Sequence, residues 1–183
     1  MTFQHSMRAM VAATGIAMTM PAGVVHAQTS EPAAAQTKLS AADQQFVQDA
    51  SQAGATEIAA SKLALKNSND PQVRKFASQM IVDHTKLARN LDIVAEKKGL
   101  KSPPSADSAV IGKLQRLKGA GFDQAYIADV AVGGHQKAVE LFRKESESGA
   151  DPQLKAAATK ALPVIQHHLA MAQQLGNAKK STS

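Results

Sequence analysis

The chain has 183 residues, a formal net charge of +6, no cysteine, no tryptophan and a single tyrosine. Without cysteine there is neither a disulfide framework nor a cysteine-linked lipid anchor, and so few aromatic residues offer no platform on which bases or sugars could stack. The charge excess is modest, so it excludes a nucleic-acid signature and leaves a partner protein or an anionic envelope surface as the candidate contacts.

In chain order, residues 1–27 read as a cleavable signal peptide. Arg8 is their only charge, an apolar run from Ala9 to Met20 follows, and Pro21 and Gly23 break it before Val25-His26-Ala27 offers a cleavage site. The run is too short to remain in a bilayer as a helix, and no later stretch is long and apolar enough to do so. The expected address is therefore the periplasm. Loss of Arg8 with the leader takes the formal charge from +6 to +5. Residues 28–38, rich in Ala, Gln, Thr and Pro, read as a disordered linker, and residues 177–183 as a disordered tail.

Between these lies one domain, residues 39–176, with clear helix signals and almost no strand signals. Ser40 followed by Asp43 is an acidic variant of the capping box. Phe46, Val47, Ala50, Gly54, Ile58 and Leu65 then recur at helical spacing to Asn67. Asp70-Pro71 supplies an N-cap and a first-turn proline. The stripe Val73, Phe76, Ala77, Met80, His84, Leu87, Leu91 and Val94 follows, ending at Lys97-Lys98-Gly99. The connection from Leu100 to Gly121 contains Pro103-Pro104 and a short helix over about 107–118. A third long helix runs from about Phe122 to Ser148 and is closed by Gly149. Asp151-Pro152 opens the fourth, with Leu154, Ala158, Ala161, Ile165, Leu169, Ala172 and Leu175 before Gly176.

The two halves repeat. Asp43-Gln44, Phe46-Val47, Asp49 and Gly54 match Asp123-Gln124, Tyr126-Ile127, Asp129 and Gly134 at an offset of 80, and Asp70-Pro71-Gln72 matches Asp151-Pro152-Gln153 at 81. Two related helical hairpins follow from this. The connection between them is long enough to cross the length of a helix, so the expected fold is all-α: an antiparallel four-helix bundle with one crossover, as in ferritin-like folds, and a short extra helix in the long connection.

Four polar residues interrupt the apolar pattern at one level. His84, His135 and His168 fall on or beside apolar stripes, and Glu57 stands on the flank of the first. Each lies within about four residues, roughly 6 Å, of its helix midpoint. Gly133-Gly134 stands in mid-helix just before His135, and Pro163 lies inside the fourth helix, where it removes a backbone donor and frees the carbonyl of Thr159. Broken local rules gathered at one level point to function. Neutral imidazoles with a carboxylate suit zinc or copper. The competing reading is a buried polar cluster whose members satisfy one another's hydrogen bonds. Asp83 is expected to face solvent or a neighbouring helix end, and His167 lies off the stripe. Met80 and Met171 are core residues before they are copper ligands.

Phe76-Ala77 through Met80 to Asp83-His84, Phe122-Asp123 with Tyr126 and His135, and Leu162-Pro163 followed by His168-Leu169 resemble the bacterial domain-of-unknown-function family 4142. The resemblance covers about residues 39–176 and implies an exported protein of ferritin-like fold with no assigned activity. Members are often labelled outer membrane proteins, but these residues contain neither alternating strands nor a lipobox. Di-iron members of the ferritin-like fold carry Glu-x-x-His pairs. Here Ile81, Val132 and Ile165 stand three residues before the histidines, so di-iron chemistry is not expected. No catalytic constellation is complete. Two readings remain: a non-enzymatic helical bundle with a structural, stress-related or interaction role, and a mononuclear metal-binding bundle using Glu57, His84, His135 and His168.

Overall fold

The computed structural model describes residues 38–100 and 105–181. The expected signal peptide, nearly all of the linker, and Pro103-Pro104 lie outside the described residues. Within them every regular element is helical and no strand occurs: α1 (Ala41–Asn67), α2 (Pro71–Lys97), α3 (Ser108–Gln115), α4 (Gly119–Ala125), a π-helical segment (Tyr126–Val132), α5 (Gly133–Ser148) and α6 (Pro152–Lys180). The chain passes from α4 through the π-helical segment into α5 in continuous right-handed helical conformation.

The helices start where capping chemistry tells them to. Asp70, Asp107 and Asp151 each accept two backbone N–H bonds at the first turn of α2, α3 and α6, which satisfies donors that no helical carbonyl can reach. Ser40 caps α1 by accepting the Asp43 N–H. The capping box is only half formed, however. Asp43 is buried, accepts a hydrogen bond from the Ser40 hydroxyl on Oδ2, and on Oδ1 accepts the N–H of Ala150 in the α5–α6 turn. Gly99 ends α2 with φ +75°, the left-handed conformation that glycine adopts without a Cβ clash. At the other terminus α6 continues four residues past Gly176 to Lys180, taking in the first part of the expected tail. Pro163 sits on an exposed face and α6 continues through it.

Polar contacts at the helix ends fix their directions. Lys98 meets Asp151 at 2.6 Å, and Lys179 meets Asp70, so α2 and α6 run antiparallel. Asp43 reaches Ala150, while Asn67 meets Lys118, so α1 runs antiparallel to the rod formed by α4, the π segment and α5. The chain therefore leaves α2 at one end of the assembly and re-enters helix at the other. Between them α3 lies on α1, where the Asp107 N–H donates to Thr56 Oγ1 at 2.8 Å.

Apolar side chains fill both ends. One cluster joins Phe76, Met80, Leu114, Phe122 and Tyr126; a second joins Phe46, Leu91 and Leu154; a third, beside it, joins Val139, Ala161 and Ile165. Phe122 stacks on Tyr126 and Phe76 meets its edge, pairings that add roughly 0.5–1.5 kcal/mol each beyond burial. In its second half α1 turns Glu57, Ala60, Ser61 and Ala64 inward, and Ile58 is only half-buried. The small side chains of Ala60, Ser61 and Ala64 let the neighbouring rod come close. Val110, Ile111 and Leu117 of the connection pack on the first cluster, and the large exposed apolar side chains of the described residues, Val82 and Ile93, both lie on α2.

Candidate metal centre

Among the buried polar side chains of the long helices, one each from α1, α2, α5 and α6 meet at one place. Glu57 of α1, His84 of α2, His135 of α5 and His168 of α6 are 4%, 5%, 1% and 1% exposed. The three imidazole rings stand 5.2–5.5 Å apart, centre to centre. One nitrogen from each lies within 4.8 Å of the other two. Glu57 Oε2 is 2.8 Å from His84 Nε2 and 3.2 Å from His135 Nε2, and those two nitrogens are 3.3 Å from each other. The whole expected set is thus brought together.

Close approach is not the same as satisfied hydrogen bonding. The Glu57 Oε2 distances suit hydrogen bonds but the ring N–H directions do not, so that oxygen is left without a donor. The Nδ1 atoms of His135 and His168 also lack partners. Buried polar atoms are nearly always paired. Glu57 Oε2, an acceptor between the His84 and His135 nitrogens with no donor aimed at it, is what is expected where a further group binds.

Charge follows from burial. For His168 burial dominates and, against the pull of Asp83, lowers the pKa to about 4. For His135 burial again leads, outweighing the attraction of Glu57, and its pKa is lowered. Both rings are neutral at pH 7 and present lone pairs. Burial is also the largest influence on Glu57 and would raise its pKa, but the nearby His84, with His135 and His168, lowers it. The pocket therefore holds neutral nitrogen donors beside one anionic oxygen, a donor set for a divalent or monovalent transition-metal ion.

The local backbone explains how His135 and Glu57 come to share this space. In the π-helical segment the Gly133 N–H reaches back to the Ala128 carbonyl, five residues earlier. A Cβ on Gly133 would stand 3.0 Å from that carbonyl oxygen, and a Cβ on Gly134 would stand 3.3 Å from Glu57 Oε1. The first glycine accommodates the widened turn; the second lets the carboxylate lie against α5. Such π-bulges are frequent at functional sites. One turn beyond Glu57 on α1, Ser61 pairs with the buried Tyr126 hydroxyl at 2.8 Å.

Asp83 corrects the expectation placed on it. It is partly exposed, as expected, but turned to the middle of α6 rather than to a helix end: its Oδ2 holds His168 Nε2 at 3.0 Å and also accepts the Gln79 amide at 2.6 Å. His168 is thereby oriented from outside, with Nδ1 as the ring nitrogen left over. A carboxylate behind a ligating histidine is the usual support of a metal-bound imidazole. The other candidates fall away. His167 is exposed, and Met80 and Met171 pack in or against the apolar cluster around Tyr126.

Residues 28–175 match the sequence profile of a family described as Domain of unknown function (DUF4142). No curated protein matches the sequence. Among solved structures, a DUF305 fragment from Deinococcus radiodurans is 19% identical with a TM-score of 0.64, covering 76% of this chain and 98% of its own. A DUF305 protein from Streptomyces coelicolor is 17% identical with a TM-score of 0.62, covering 73% and 89%. CopM with Cu(I) bound is 18% identical with a TM-score of 0.61, covering 72% and 93%. At these identities the likeness is one of fold.

Proposed function

The chain belongs to the DUF4142 family, and on that footing we propose that it is an exported, ferritin-like four-helix bundle that binds one transition-metal ion, copper or zinc. His84, His135 and His168 supply nitrogen, Glu57 supplies oxygen and negative charge, and Asp83 orients His168 from behind. The observation that carries this reading is the convergence of one nitrogen from each of three buried imidazoles within 4.8 Å, with Glu57 Oε2 left without a donor beside two of them. A single carboxylate beside three histidines does not suit a di-iron pair, which needs several bridging and terminal carboxylates. Copper is the first ion to try, since the similarly folded CopM has been solved with copper in both oxidation states.

Export to the periplasm belongs to the same proposal. Among the described residues no helix is long and apolar enough to cross a membrane. A bundle that holds a metal in this way would store, buffer or carry the ion, with no substrate site required.

The competing reading is a non-enzymatic bundle with a structural, stress-related or interaction role, whose polar centre only binds itself together. The 3.3 Å contact between His84 and His135 favours it. Metal analysis separates the two. One ion per chain after loading and dialysis, lost in His84→Ala with the helical spectrum retained, supports the metal reading. No retained copper or zinc in the purified protein, with Glu57→Gln and His84→Ala altering stability alone, supports the structural one.

A further inference from the structure

Beside the histidines lies a cavity with about 30 Å³ open to the centre of a water-sized sphere. That is room for one or two water molecules, since one needs about 10–15 Å³ by this measure. Its polar wall is made by Glu57 and His84 themselves, and Ala138 and Ile165, each one turn from His135 and His168, complete the inner side. The outer wall is Ser51, Ala53 and Gly54 of α1 with Ala88 of α2, small residues that are all half-buried. Leu87, Leu91 and Phe142 supply most of the remaining lining, which is apolar. One turn from Glu57 in the other direction along α1, Ser61 and Tyr126 are fully buried against each other and close the centre.

A closed structural metal site surrounds its ion with protein donors, whereas a reactive one keeps a position for water or another small ligand. We infer that the ion held by His84, His135, His168 and Glu57 keeps one coordination position turned toward this cavity, and that a small monodentate ligand, water or a linear or spherical anion, binds there from solution. The inference rests on the metal reading of this centre. The cavity's size sets the class: an ion such as azide or a halide fits, and a carboxylate-bearing metabolite does not. Access runs between α1 and α2 past Gly54 and Ala88.

The test uses sodium azide on Cu(II)-loaded protein. Azide bound to Cu(II) gives a new charge-transfer band in the near ultraviolet and alters the electron paramagnetic resonance spectrum. The expected result is a band that saturates at one azide per copper. In Gly54→Leu, whose added Cβ meets nothing within 4 Å, copper loading should persist while azide binds roughly tenfold more weakly, because the side chain takes the ligand's space. Ala88→Leu fills the same cavity from α2 and should behave alike, so misfolding of either variant, read by circular dichroism, leaves the other as the test. Copper loading with no spectral response to azide, or wild-type azide affinity in the folded variant, overturns the open position while leaving the metal centre intact. Failure to load copper or zinc at all overturns the metal centre and this inference together.

Discussion

Removing the Asp83 carboxylate should weaken metal binding without removing any ligand. In Asp83→Ala the His168 Nε2–H loses the acceptor that stands 3.0 Å away, while the ring itself is 1% exposed and cannot turn to water for a substitute. Two effects follow. The ring is no longer fixed with Nε2 protonated and Nδ1 free, and it loses the nearby negative charge that makes it a stronger donor. Loss of such supporting partners typically costs about 10–100-fold in metal affinity, which corresponds to roughly 1.4–2.8 kcal/mol. Asp83 is held by Gln79 as well and is partly exposed, with 20% of its side-chain surface accessible, so the lower half of that range is expected. Competition against a chromophoric chelator measures the affinity of wild type, Asp83→Ala, Asp83→Asn and His168→Ala. Asn keeps a neutral acceptor for Nε2–H and should recover part of the loss. Unchanged affinity in Asp83→Ala beside a large loss in His168→Ala would refute the claim that Asp83 supports the centre.

Further outcomes follow from the same geometry. Gly134→Ala gains helix propensity of about 1 kcal/mol but crowds Glu57 Oε1, so thermal stability of the metal-free protein should change little while metal affinity falls, as a chelator competition reads. Ser61→Ala leaves the buried Tyr126 hydroxyl unpaired and should destabilise by about 1–3 kcal/mol in urea unfolding. Glu145 is 5% exposed, and burial first, then the charge and hydrogen bond of Asp43 and the charge of Asp151, raise its pKa from 4.5 to about 7. A carboxyl raised in the folded state stabilises fully below pH 4.5 and loses that contribution as pH rises toward 7. At about 1.4 kcal/mol per pH unit, the loss is at most about 3 kcal/mol. His135 and His168 act oppositely, gaining stability as pH rises toward their unfolded value. The readout is therefore the difference between Glu145→Gln and wild type, which should favour the variant increasingly from pH 4.5 to 7. A constant difference across that range would count against a raised Glu145.

The helices and the site were legible for a shared reason. Asp70-Pro71, Asp151-Pro152 and Ser40 act locally, through backbone donors within a turn, so their effect does not depend on the rest of the fold. The stripes act through period alone, and His84, His135, His168 and Glu57 could be picked out because each interrupts one at a common level. What depended on neighbours was not legible. Asp83 points at His168 only because α2 and α6 are adjacent and antiparallel, and residue spacing on α2 alone cannot say which helix lies beside it. The partnership of Asp43 with Ala150 required the same knowledge. Tyr126–Val132 has the composition of an ordinary helix, and its widened turn is selected by packing.

The central claim is that three histidines and one glutamate form a single metal centre. X-ray absorption at the metal edge, on purified protein loaded with copper or zinc and dialysed, tests it most directly. The expected result is one ion per chain in an all nitrogen and oxygen shell at about 2.0–2.2 Å, with the outer scattering of two or three imidazole rings, lost in His84→Ala and His135→Ala. Sulfur in the shell would place the ion at Met80 or Met171 instead, and no retained ion would return the cluster to a purely structural role.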